Sequence, residues 1–229
     1  MSSQRSCLVM LALWALAGLA FGDAVVVPNA CATSPGPSNN SIPFDGWDPM
    51  RFQQVYAAGQ FGGRSGIITQ IAYRVDESEG GEFVANPFDV DVWLSHTARQ
   101  PQQLSNVFDE NSGPDKTLVY SGALALSSAG TGAFDIVIDI NDVFTYDGAQ
   151  NLLLEVQITG GYAGCGSFDA AGLGVGEGGS PETDRLYAYG IGTETGVSDG
   201  DDGLVTQFTF VPEPSALLLL LAGATWRRH

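Results

Sequence analysis

Apolar and polar residues alternate with period two along most of this chain, and between residues 23 and 210 no ten-residue stretch repeats its apolar positions at helical spacing. The clearest strand is predicted at residues 88–94, with Phe88, Val90, Val92 and Leu94 on one face and Asp89, Asp91 and Trp93 on the other. Residues 134–140 repeat the pattern, placing Phe134, Ile136, Ile138 and Ile140 inward and Asp135, Val137 and Asp139 outward. Further strands are predicted at 51–57, 67–75, 117–120, 123–126, 152–158, 185–189 and 204–210. Leu152, Leu153 and Leu154 are more apolar than a strand with one wet face requires, so this segment is expected in the middle of a sheet and covered on both sides. The Gly-rich residues 160–180 and the acidic, Gly-rich residues 190–203 are expected to be long loops. About eight or nine short strands separated by Gly, Asn, Asp and Pro turns predict an all-β domain, an antiparallel β-sandwich of jelly-roll type. An immunoglobulin-like sandwich is the alternative.

The two ends depart from this pattern. Arg5 and the amino terminus precede residues 7–21, an uncharged apolar run that ends near the small residues Gly22 and Ala24. Residues 1–22 therefore read as a signal peptide forming a short helix, with an uncleaved anchor as the alternative. The run is short for a membrane helix, and Pro28, Pro35 and Pro37 prevent its extension. Residues 23–210 remain as one domain, long enough to bury a core.

Charge narrows the partners. The chain carries 26 acidic against 9 basic side chains, a formal net charge of −17. Within the body the basic residues are Arg51, Arg64, Arg74, Arg99, Lys116 and Arg185. Phosphate would be repelled, so nucleic acid is not expected as a partner. Export also bears on the cysteines. Cys7 leaves with a signal peptide, and Cys31 and Cys165 are then expected to pair in an oxidising compartment. In the chain-entropy picture so long a loop would stabilise by about 4 to 5 kcal/mol. Two free thiols are the alternative.

At the other end, Val211-Pro212-Glu213-Pro214-Ser215 is followed by Ala216, the five leucines 217–221, a further apolar stretch to Trp226, and then Arg227-Arg228-His229. A Pro-Glu-Pro triplet, an apolar segment and a terminal basic cluster, in that order, resemble the PEP-CTERM sorting signal of Gram-negative bacteria that make extracellular polysaccharide. The resemblance covers residues 211–229, about a tenth of the chain. It implies recognition by an exosortase, a membrane-embedded cysteine protease or transpeptidase. It also implies export to the cell envelope, biofilm or extracellular matrix, with transient membrane anchoring through the tail. In that setting the apolar segment would hold the chain in the bilayer, Arg227 and Arg228 would hold its end cytoplasmic, and Pro212 and Pro214 would present Glu213 outside. The segment departs from a comfortable span: as a helix, residues 215–226 reach about 18 Å against a hydrocarbon thickness of about 30 Å. It must thin the bilayer or let its arginines snorkel. More weakly, the body phrases at 51–56, 94–95, 117–126, 134–140 and 151–156 resemble uncharacterised β-rich bodies of other PEP-CTERM proteins, which carry no established activity.

Catalytic chemistry finds little support in the body. Ser-His-Asp catalysis needs a histidine, and the body offers only His96, expected at a strand end as a surface or turn residue, with Ser95 on the opposite face. Asp89 and Asp91 can meet the spacing of a glycosidase pair, with Asp135 and Asp139 as further candidates, so a secreted hydrolase acting on carbohydrate is the alternative function. Gly174 to Gly179 matches the letters of a dinucleotide loop without the strand and helix around it, and reads as a flexible loop. Asp199, Asp201 and Asp202 among glycines supply oxygen ligands for calcium without EF-hand spacing, so calcium is at most an auxiliary ion and no other cofactor is expected. Sugar binding on a sandwich uses aromatic platforms beside polar groups. Trp93 between Asp89 and Asp91 is the first candidate, and Trp47 among Asp45, Gly46 and Asp48 is the second. The chain is thus expected to be a non-enzymatic surface or matrix protein in contact with extracellular polysaccharide. Membrane contact would be confined to its terminal segments.

Overall fold

The alternation is realised as strands throughout a computed structural model that describes residues 22–44, 49–161, 164–172, 181–198 and 203–211. In chain order these strands are β1 (Asp23–Val27), β2 (Ser38–Asn40), β3 (Met50–Tyr56), β4 (Gly66–Tyr73), β5 (Phe83–Val84), β6 (Phe88–Thr97) and β7 (Thr117–Leu124). They continue with β8 (Ser127–Ser128), β9 (Ile136–Tyr146), β10 (Asn151–Gly160), β11 (Phe168–Ala170), β12 (Thr183–Tyr189) and β13 (Thr206–Val211). Five form one sheet in the order β12-β3-β10-β6-β7 and four form a second in the order β1-β13-β4-β9, with every pairing antiparallel. The chain is all-β, as its periodicity predicts. β2 with β11 and β5 with β8 add two small ribbons.

The two sheets share one core. Phe88, Val90, Val92 and Leu94 of β6 and Leu152, Leu154, Val156 and Ile158 of β10 meet Ile68, Ile71, Ile136, Ile138 and Phe208 of the other sheet in a single buried cluster. Tyr56 crosses between the layers. Its ring meets Phe208 edge-on at 4.9 Å, and its hydroxyl bonds Thr206 Oγ1 at 2.9 Å. A phenol buried this deeply requires a polar partner, and β13 supplies it.

β10 lies between β3 and β6, as the run of leucines suggests, with Leu154 flanked by Gln54 and Leu94. Its second face is also covered. The connection from β6 to β7, residues 98–116, folds back over the sheet and buries Phe108, while Val55, Leu153 and Leu186 of the sheet are inaccessible as well. Phe108 and Leu186 converge on Gly196. A β-carbon there would lie 2.7 Å from Phe108 Cζ and 2.8 Å from Leu186 Cγ, so glycine permits the close approach.

Several local expectations change. The turn predicted between 117–120 and 123–126 does not form, because Gly122 takes φ 137° within a continuous β7 and pairs with Val90. β1 was hidden by its position directly after the leading apolar run, and it pairs with β13 from Asp23↔Phe210 to Val27↔Thr206. The Gly-rich region after residue 160 contains β11, held against β2. The helices expected at the two ends fall outside the described residues. Among those described, no helix is long and apolar enough to cross a membrane.

Candidate functional site

The outer face of the five-stranded sheet concentrates the polar chemistry of the body. Period two places Arg51 and Gln53 of β3, Glu155 and Gln157 of β10, and Trp93 and Asp91 of β6 on this face, with Glu155 between Gln53 and Trp93 in register. Glu155 is 1 % exposed and its carboxylate is saturated. Oε1 accepts from Arg51 Nε at 2.9 Å and Gln157 Nε2 at 2.7 Å, while Oε2 accepts from Gln53 Nε2 at 2.7 Å and Lys116 Nζ at 2.6 Å. Burial works against its charge, but the bonds from Lys116, Arg51 and Gln53 prevail and hold the carboxyl below the ordinary range. Arg51 continues outward to Asp109 at 2.6 Å, and its guanidinium lies 4.6 Å from the Phe108 ring centroid. Asn111 joins the covering segment to the sheet through Gln53 Oε1 at 2.9 Å. This network clamps residues 98–116 onto the sheet.

Trp93 keeps its predicted place on that face beside Asp91 and Asp89, but it is only half exposed. Lys116 Nζ lies 5.1 Å from its ring centroid, so a cation already occupies part of the aromatic surface. Asp91 stands opposite Ser121 and Gln157, and the exposed Asp89 stands opposite Ala123 and Gly160. Asp139 and Asp135 do not join them. They belong to the other sheet and its approach, where Asp139 accepts from Gln70 and Asp135 holds the turn at Ser128 and Ala129.

His96 corrects an expectation. It is an inward-facing residue of β6 with 12 % of its side chain exposed, stacked on Tyr146 at 5.5 Å and 15°. Asp115 Oδ2 lies 2.5 Å from Nδ1, and the Asp147 amide donates to Nε2 at 3.1 Å. Nε2 also lies 3.3 Å from Asp147 Oδ1, so the ring is held between the Asp115 and Asp147 carboxylates as well as by the Asp147 amide. Among the described residues no hydroxyl bonds this imidazole. Ser95 lies on the opposite face and accepts from the Gly113 amide. His96 is therefore a clasp joining β6 to Asp115 and to the turn after β9. Asp147 in that turn is opposed by burial, but the Gln150 and Ala149 hydrogen bonds and the nearby His96 bring its carboxyl down to about 2.

Beside the clasp is a cleft of about 460 Å³ walled by His96, Arg99, Glu110, Ser112, Asp115 and Gln150 among others. A second cleft of about 410 Å³ lies at Ser34, Arg74, Asp76 and Thr131. Arg74 there is tied to the fully buried Asp169 at 2.6 Å and to the carbonyls of Cys31 and Ser34. Burial raises the Asp169 carboxyl, opposed by Arg74 and by the Gly36 amide.

The expected Cys31 to Cys165 disulfide is not formed. Cys31 belongs to a small cluster with Val26, Ala171 and Val205, whereas Cys165 belongs to the main core. An even count in the mature chain says nothing about which side of a sheet each thiol reaches. Burial also raises the Cys31 thiol, keeping it protonated. The calcium candidates Asp199, Asp201 and Asp202, the aromatic Trp47, the glycine-rich 174–179 and all of the tail beyond Val211 lie outside the described residues.

Glu155, Arg51 and Lys116 were not singled out from sequence. A signal was present: a glutamate in the predicted two-sided strand Leu152-Leu153-Leu154-Glu155-Val156 demands a cationic partner, and the body has only six basic residues. Compared with known proteins, the chain matches no family model, no curated protein and no solved structure.

Proposed function

We propose that this chain is an exported surface or matrix protein, delivered through a PEP-CTERM tail, whose all-β body is non-enzymatic and contacts extracellular polysaccharide. The observation that carries the routing is the order Pro212-Glu213-Pro214, apolar segment, Arg227-Arg228 in a chain that also opens with an apolar leader. The partner in sorting is an exosortase-type membrane protease. On this reading residues 1–22 leave as a signal peptide, 23–210 form the working domain and 211–229 are the sorting tail. A jelly-roll-like winding belongs to the same reading, since the chain changes sheets at β1 to β3, β3 to β4, β4 to β6, β7 to β9, β9 to β10 and β12 to β13. Polysaccharide contact rests on the half-exposed Trp93 beside Asp89 and Asp91, where a sugar ring would stack next to hydrogen-bonding groups.

Intact mass and fractionation of the native protein test the routing, with Pro212-Glu213-Pro214 replaced by three alanines as the comparison. The wild type should lose its tail and reach the surface or medium, while the variant stays full-length in the membrane. Identical masses and fractions for both would defeat it. On a glycan array, Trp93→Ala should remove binding through the platform, and unchanged binding would remove Trp93 from the reading.

A further inference from the structure

We propose that the cleft beside the His96 clasp binds one uncharged sugar residue, a second point of contact that rests on the polysaccharide reading above. Its volume of about 460 Å³ lies in the range of small-ligand sites. Three separate segments wall it: the end of β6, the covering segment 98–116 and the turn before β10.

The chemistry of the wall selects the ligand. An anion would meet Glu110 and Asp115 while the one guanidinium, Arg99, is already bonded to Glu110 at 3.3 Å and to its carbonyl at 3.2 Å. A metal ion would find no group of three suitable side chains, either here or elsewhere among the described residues. An apolar ligand would strand two carboxylates and an amide without water. A ring bearing several hydroxyls both donates and accepts, which is what this wall can answer. Each Asp115 oxygen keeps lone-pair capacity beyond its bonds to His96, and Glu110 Oε1 and Gln150 Oε1 have no partner among the described residues. Ser112 Oγ is buried in the same wall without a hydrogen-bond partner among the described residues, a demand that a water held beneath a bound sugar would meet.

The acceptors are also held before any ligand arrives, so little side-chain freedom is lost on binding. Asp115 is fixed by the His96 ring and amide, Glu110 by Ser105 Oγ at 2.6 Å, and Gln150 by Asp147 at 2.9 Å. Gly113 closes the segment onto β6, since a β-carbon there would lie 2.2 Å from the His96 carbonyl oxygen.

The test is titration of the purified protein with uncharged mono- and disaccharides and with the corresponding uronic acids, followed by calorimetry and by amide shifts in NMR. Uncharged sugars should bind with a dissociation constant of about 1 mM or tighter and shift the Gly113 and Gln150 amides. Glu110→Gln and Gln150→Ala, neither of which replaces a residue bonded to His96, should each weaken binding about five-fold or more, and Trp93→Ala should leave it unchanged. Uronic acids should bind more weakly than their neutral counterparts. Sugar binding that survives both cleft variants but is lost in Trp93→Ala overturns the cleft and leaves the polysaccharide reading standing. Stronger binding of uronic acids overturns the assignment to an uncharged ring. If no glycan, polymeric or short, binds the wild type, the polysaccharide reading and the cleft fall together.

Discussion

Replacing Arg51 by methionine should destabilise the domain by about 3 kcal/mol at pH 7, because it strands a buried carboxylate. Glu155 is 1 % exposed and receives four donors, one of them Arg51 Nε at 2.9 Å. Removing one partner of a buried ion pair costs about 3 to 5 kcal/mol, and the lower end applies because Lys116 remains at 2.6 Å. The outer contact to Asp109 adds little, since that carboxylate's side chain is 82 % exposed. Methionine keeps an aliphatic stem and removes the guanidinium that lies over the Phe108 ring, so the loss should be mainly electrostatic. Urea unfolding gives the difference from the shift in midpoint at unchanged slope. A double-mutant cycle with Glu155→Gln isolates the pair, with an expected coupling of about 2 kcal/mol. The pH dependence has a definite sign. Glu155 is held below its ordinary range, so its contribution is complete above the unfolded carboxylate pKa and disappears as pH falls through the folded value. The gap between wild type and variant should therefore close in acid. A loss below about 1 kcal/mol at pH 7, or a coupling within about 0.5 kcal/mol of zero, would refute the claim that this pair clamps the covering segment.

Truncating Phe108 to alanine should cost about 3 to 5 kcal/mol and expose residues 98–116 to proteolysis; a stable, protease-resistant variant would show that the cover does not depend on this ring. Tyr56→Phe removes the cross-sheet bond to Thr206 at 2.9 Å and should lower stability by about 1 kcal/mol in urea unfolding, a neutral result counting against that bond. Asp147 is depressed to about 2, so wild type and Asp147→Asn should differ in melting temperature at neutral pH and draw together as pH falls from about 4 toward 2; a gap at pH 2 as wide as at pH 7 would contradict the assignment. Cys31 and Cys165 should both react with a maleimide in denaturant without reductant and resist it in the folded protein, whereas two blocked thiols in denaturant would mean a disulfide after all.

What the sequence determined by itself is what depends on neighbours along the chain. A strand turns successive side chains to opposite faces, so the sides taken by Phe88, Val90, Val92 and Leu94 and by Asp89, Asp91 and Trp93 follow from their order alone. The central place of β10 was legible in Leu152-Leu153-Leu154 for the same reason: a strand apolar on both faces must be covered on both. Local cues misled where a short-range preference met a distant partner. Gly122 suggested a turn and instead continues β7 beside Val90, and β1 was hidden by the leader until β13 came back to pair with it. The candidate chemistry divides in the same way. Trp93 and Asp91 were read from alternation, whereas the Glu155 network joins residues 104, 102 and 39 positions apart, and His96 reaches Asp147 across 51. Only the tertiary structure decides those meetings. Alternation specifies which face a side chain takes, but which strand lies beside it depends on register and loop closure between distant segments, to which the local pattern is blind.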